Sequence, residues 1–155
     1  MSVAPGDTLP DMALETPDGG TVRPSDFAGR KLVLFFYPKD ETPGCTTESK
    51  DFSALAGEFE KAGIAVLGIS KDPPKKHQKF IEKHALAVPL ASDAESGGLS
   101  DAPGIWAEKQ NYGRTYMGMV RTTYLIGADG KIARVWNKVK VKGHAEEVLA
   151  AARAL

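Results

Sequence analysis

A chain of 155 residues, 42% hydrophobic and 26% charged, has the size and balance of one compact domain with one sizeable core, which excludes a disordered chain. Twenty Lys and Arg offset twenty Asp and Glu, so net charge gives no reason to expect nucleic acid or an anionic membrane as partner. No apolar run reaches the ~18 residues that span a bilayer. The first residues, Met1-Ser-Val-Ala-Pro-Gly-Asp7, carry neither a basic nor an apolar signal segment, so a cytoplasmic location is expected.

No repeat or linker divides the sequence, and residues 1–155 are expected to form a single domain. Met12–Thr16 and Thr21–Val22 flank Pro-Asp-Gly-Gly, which predicts a short hairpin. Lys31–Tyr37 is a near-continuous apolar run stopped by Pro38, the pattern of a central strand buried on both faces. From Pro43 the period changes. Phe52, Leu55, Phe59 and Ala62 recur three or four apart, one helix face, and Gly63 closes it. Ile64–Ser70 is a second apolar strand. Asp72-Pro73-Pro74 then starts a helix to about His84, with Asp72 as the cap candidate.

Val88-Pro89-Leu90 leads into Ala94–Met119, rich in Gly and without a clear period. Arg121–Ile126 and Lys131–Trp136 flank Gly-Ala-Asp-Gly, a strong hairpin signal, and His144–Leu155 is a closing helix. Strand and helix alternate twice, then a hairpin and a last helix follow. That order predicts an α/β fold, a thioredoxin-like sandwich with a mixed central sheet and helices on both faces.

The histidines do not suggest a metal. His77 and His84 share a helix face, but no carboxylate or third imidazole obviously joins them, so both are expected as solvated helix residues. Lys71, Lys75, Lys76 and Lys79 read as a solvated helix face and not as a phosphate or RNA contact, since no aromatic platform stands nearby. Gly113–Gly118 lacks the Gly-Lys-Ser/Thr ending of a phosphate loop. Trp106, Tyr112, Tyr116 and Met117 are expected to serve loop packing rather than the mouth of a site. No metal or cofactor is expected.

The informative stretch surrounds the chain's one cysteine, Cys45. A strand ends at Pro38, a polar loop follows, Thr42 is a good N-cap and Pro43 a good first helical residue. Cys45 then falls in the turn whose amides lack intrahelical acceptors, where those amides and the helix dipole favour a thiolate. A lone cysteine is more often a small core residue. Here its neighbours are Pro, Gly, Thr, Thr and Glu, which would not bury it in hydrocarbon, and a nucleophile is the better reading.

The pattern Pro38, Thr42, Cys45 resembles the active-site motif of the peroxiredoxins. The longer run Phe36-Tyr-Pro-Lys-Asp-Glu-Thr-Pro-Gly-Cys-Thr-Thr-Glu48 is similar to the branch called PrxQ or bacterioferritin comigratory protein, as is Tyr112–Ile126. The resemblance covers almost the whole chain. It implies that Cys45 is the nucleophile that attacks a peroxide to give a sulfenic acid, with Thr42 holding the peroxide and Pro38 shielding the thiolate. It further implies that Arg121 stabilises the thiolate and the leaving oxygen, and that Glu48 orients Arg121.

One departure matters. Many members carry a second cysteine five residues after the first, where this chain has Lys50, and Pro73–Ala85 holds none either. No disulfide within the chain is available, so regeneration falls to an external thiol: thioredoxin, glutaredoxin, glutathione or the Cys45 of a second copy. A monomer or weak dimer is expected, and hydrogen peroxide and organic hydroperoxides both remain as substrates. A dithiol oxidoreductase would need Cys-x-x-Cys, which is absent. The rival from another class is a non-catalytic binding or holdase module on the same fold.

Overall fold

The computed structural model describes residues 5–8, 13–38, 40, 42–93, 105–111 and 113–155, with the backbone alone for 106–111 and 114–117. Strand β3 (Lys31–Phe36) is the organising element. Its alternate side chains go to two cores: Leu32, Leu34 and Phe36 to one, and Val33 and Phe35, with Tyr37 beyond the strand, to the other. Burial on both faces is what its unbroken apolar run demands. Strand β4 (Ile64–Ser70) pairs with it in parallel, and β5 (Leu90–Ser92) pairs in parallel with β4.

The remaining strands are antiparallel. β1 (Leu14–Glu15) and β2 (Thr21–Val22) form the short hairpin beside β5, while β8 (Thr122–Ile126) and β9 (Ile132–Asn137) extend the sheet beyond β3. The seven strands run β2-β1-β5-β4-β3-β8-β9, a mixed sheet. Helices α1 (Pro43–Ala54), α2 (Ala56–Lys61), α3 (Pro74–His84) and α4 (His144–Ala154) send Phe52, Phe59, Phe80 and Val148 into one core. Two crossovers in one direction, β3 to β4 to β5, place α1, α2 and α3 together on that face. A 3₁₀ turn, Pro24–Phe27, packs Phe27 against the other core. The fold is the thioredoxin-like one of the sequence reading, with its mixed sheet. Of the helices expected on both faces, the four α-helices among the described residues all pack on one, and the other carries the 3₁₀ turn.

Three elements differ from expectation. The helix after Pro43 is not continuous: Leu55, with φ −97° and ψ 2°, separates α1 from α2. Phe52 and Phe59 stay buried on either side of that break, with rings 6.0 Å apart, so the apolar pattern survives a change in backbone. Helix α3 is capped at Pro73 and not at Asp72. Finally, the stretch without a period contains an antiparallel hairpin, β6 (Trp106–Asn111) and β7 (Arg114–Met119), turning at Gly113 with φ +76°. Tyr112, and the side chains of Trp106, Tyr116 and Met117, lie outside the described residues.

Candidate active site

Register places the site. Phe36 pairs with Thr122, so Arg121 lies one step beyond the last β3–β8 pair, where the chain leaves β3 for the Cys45 loop. The Val139 amide holds the Arg121 carbonyl at 3.0 Å. On the other side, Thr42 takes the N-cap position of α1 and Pro43 the first helical one, as expected. The Thr42 side chain does not cap the helix, while its carbonyl accepts the Thr46 amide at 2.9 Å. Pro38 follows β3 directly and is half-buried.

Cys45 therefore sits in the first turn of α1, and it is fully buried, 0% exposed, in the core that also holds Tyr37, Phe35 and Phe52. This corrects the expectation that nothing would bury it. Its sequence neighbours are polar, but strand β3 and the helices supply the apolar surroundings through tertiary contact. The sulfur is not left without a polar partner: Arg121 Nη2 donates to Sγ at 3.3 Å.

The second arm of the same guanidinium, Nη1, donates to Glu48 Oε1 at 2.7 Å. Glu48 is one helical turn beyond Cys45 and 1% exposed, so Cys45, Arg121 and Glu48 form a continuous hydrogen-bonded chain in a largely buried place. Burial pushes the Glu48 carboxyl up to about 7, against the pull of Arg121. Burial alone would lower Arg121, but the charges of Glu48 and Cys45 outweigh it and hold the guanidinium above its ordinary range. The cation remains a cation. Gly44 leaves room for it, since a Cβ there would lie 3.0 Å from Arg121 Nη2.

A second polar group lies under the loop. His77 is not a solvated helix residue: it is 0% exposed, and its Nδ1 meets Asp40 Oδ2 at 2.6 Å. The Tyr37 hydroxyl donates to Asp40 Oδ1 at 2.6 Å, and the Asp40 amide donates to Asp72 Oδ2 at 2.7 Å. The carboxylates that the sequence reading did not find beside His77 are thus present. Burial works against ionised Asp72, but the Asp40 amide, the Ser70 hydroxyl and Lys76 outweigh it and hold the carboxyl below its usual range. One signal pointed here. His77 stands three residues before buried Phe80, on the inward face of α3. His84 is half-buried, with its ring 5.3 Å from Phe80.

Residues 5–135 match the AhpC/TSA family. The chain is 44% identical over 149 residues to Peroxiredoxin Bcp of Bacillus subtilis, covering 96% of this chain and 94% of that one. It belongs to the peroxiredoxins. Within them it falls in the Bcp/PrxQ branch and is a thiol-dependent peroxidase. Peroxiredoxin Bcp of Escherichia coli is 42% identical over 144 residues, 93% of this chain and 92% of that one. Among solved structures, a PrxQ of Xylella fastidiosa superposes with a TM-score of 0.92 at 39% identity, covering 99% of this chain and 98% of that one. The bacterioferritin comigratory protein of Xanthomonas campestris gives 0.87 at 42% identity, covering 96% and 98%. Among the described residues of this peroxiredoxin, no helix is long and apolar enough to cross a membrane.

Proposed function

We propose that Cys45 is the peroxidatic residue and that Arg121, Glu48, Thr42 and Pro38 form its site. The observation that carries this reading is the bifurcated guanidinium, 3.3 Å from the Cys45 sulfur and 2.7 Å from Glu48. The thiolate attacks one oxygen of the peroxide; an S–O bond forms, the O–O bond breaks, and the other oxygen leaves as water or an alcohol once protonated. Arg121 faces both the thiolate and the charge that grows on the leaving oxygen, without reorganising during the step. Glu48 holds the guanidinium in that orientation. Thr42 offers its hydroxyl to the peroxide, and Pro38 limits water at the thiolate. Because Cys45 is fully buried, peroxide reaches it only when the surrounding side chains yield.

Recovery takes two equivalents of external thiol. The first displaces water from the sulfenic acid and leaves a mixed disulfide, and the second releases Cys45. The chain's single cysteine supports this route over an internal disulfide. Thioredoxin, glutaredoxin and glutathione fit it, as do hydrogen peroxide and organic hydroperoxides as substrates. The alkyl peroxide reduction named for the Xanthomonas campestris relative supports the latter. We read residues 1–155 as a single domain acting in the cytoplasm as a monomer or weak dimer. Steady-state peroxide consumption, with each thiol in turn, tests the assignment: Cys45→Ser abolishes turnover with all of them, and substantial turnover in that variant contradicts it.

A further inference from the structure

Asp40 stands midway between Pro38 and Thr42 in the loop that leads into Cys45, and it is 1% exposed. A buried carboxylate in a loop needs partners; this one has two, and the residue's own amide has a third. Tyr37 donates to Oδ1 at 2.6 Å, His77 meets Oδ2 at 2.6 Å, and the Asp40 amide reaches Asp72 at 2.7 Å. His77 is engaged at its other nitrogen too, since Nε2 faces the Ala91 carbonyl of β5 at 3.0 Å. A carbonyl cannot donate, so Nε2 carries a hydrogen toward Ala91, and one further hydrogen joins Nδ1 to Oδ2. Two donor atoms bridged by a metal at about 2.0–2.2 Å each stand roughly 3 Å or more apart, so this separation marks a direct hydrogen bond.

We propose that Asp40 and His77 are positioning residues for peroxide reduction: their hydrogen bond ties the loop bearing Pro38 and Thr42 to α3 and β5, and so holds the peroxide-facing groups in register with Cys45. This rests on the site reading above. Cys45 takes its place from α1 and the core around it; the loop is tied at its ends by β3 and the α1 N-cap, and midway, two residues from Pro38 and from Thr42, by this anchor. Releasing the anchor therefore moves Pro38 and Thr42 relative to the sulfur. Misplacement of about 1 Å in such a site costs up to ~100-fold in rate.

The test pairs two rates in each variant: single-turnover oxidation of Cys45 by hydrogen peroxide, and alkylation of Cys45 by iodoacetamide, which needs the thiolate but no peroxide held by the loop. Asp40→Ala and His77→Ala lose about tenfold or more in the first, and stay within about threefold in the second. Asp40→Asn recovers most of the loss, because its amide keeps an oxygen for Tyr37 and offers N–H to Nδ1, which accepts in the tautomer whose hydrogen sits on Nε2. Tyr37→Phe, which removes one bond to Asp40 and keeps the ring, loses about threefold in the peroxide rate alone. Peroxide rates within about twofold of the parent in both alanine variants overturn the proposal. So does an equal fall in both rates that Asp40→Asn does not recover, which leaves only a structural role. If Asp40→Ala fails to fold, Tyr37→Phe and His77→Gln decide, and unchanged peroxide rates in both overturn it. Peroxide oxidation of the protein at the parent rate in Cys45→Ser overturns the site reading and the proposal together.

Discussion

In the proposed site Arg121 is the residue on which the chemistry turns, because one planar fork serves the sulfur and Glu48 at once. A lysine offers a point charge in place of two directed arms. Arg121→Met keeps much of the side chain's volume and removes both arms. It lowers the rate of Cys45 oxidation by at least ~10-fold, or ~1.4 kcal/mol of transition-state stabilisation. A rate within about twofold of the parent contradicts a role for the Arg121–Cys45 contact in the step. At this scale the motif around Cys45 was legible, since Thr42 and Pro43 do begin the helix that presents the thiol. His77 was not, because its burial depends on Asp40 and Ala91, distant in sequence and brought close by the pairing of β3 and β5 on either side of β4.

The first turn of α1 carries a conflict between helix stability and site geometry. Gly44 costs up to ~1 kcal/mol against Ala in a helix interior. A Cβ there meets Arg121 Nη2 at 3.0 Å, tight enough to push the end of a flexible side chain aside. Gly44→Ala therefore leaves the urea midpoint equal or higher while slowing peroxide oxidation of Cys45 by roughly threefold to tenfold, as the displaced arm loses its aim. Stability and rate falling together contradict this account. The strands were the legible elements: β3, β4 and the β8–β9 hairpin follow from apolar runs and turn residues. The break at Leu55 was hidden because α1 and α2 keep Phe52 and Phe59 on one buried face, so the side-chain period passes over it. The β6–β7 hairpin was hidden because Trp106–Asn111 lacks the clean alternation of a half-buried strand.

Across the whole molecule, His144 ties α4 to the sheet and to α1. Its Nε2 meets the Thr123 hydroxyl at 2.8 Å, and its ring packs edge-on against Phe52 and Trp136. Burial pushes its imidazole down from 6.5 to about 4, so the unfolded chain binds more protons than the native one between those values. Its contribution to stability is present above about 6.5 and is lost as pH falls toward 4. Glu48 has the opposite sign, because its carboxyl is raised to about 7 and its contribution declines as pH rises from 4.5 toward 7. The two are separated by difference. The stability of the parent minus that of His144→Asn, from urea unfolding, rises with pH between about 4 and 6.5. A flat difference shows that His144 is not held neutral by its surroundings.

If Cys45 itself takes the peroxide oxygen, trapping its oxidised product reveals it. The reduced protein is mixed with one equivalent of hydrogen peroxide in the presence of dimedone, and the intact mass and modified residue are read by mass spectrometry. A single dimedone adduct on Cys45, formed as the peroxide disappears, is expected, because a sulfenic acid with no second cysteine in the chain persists long enough to be trapped. Disappearance of the peroxide with Cys45 left unmodified would contradict that role.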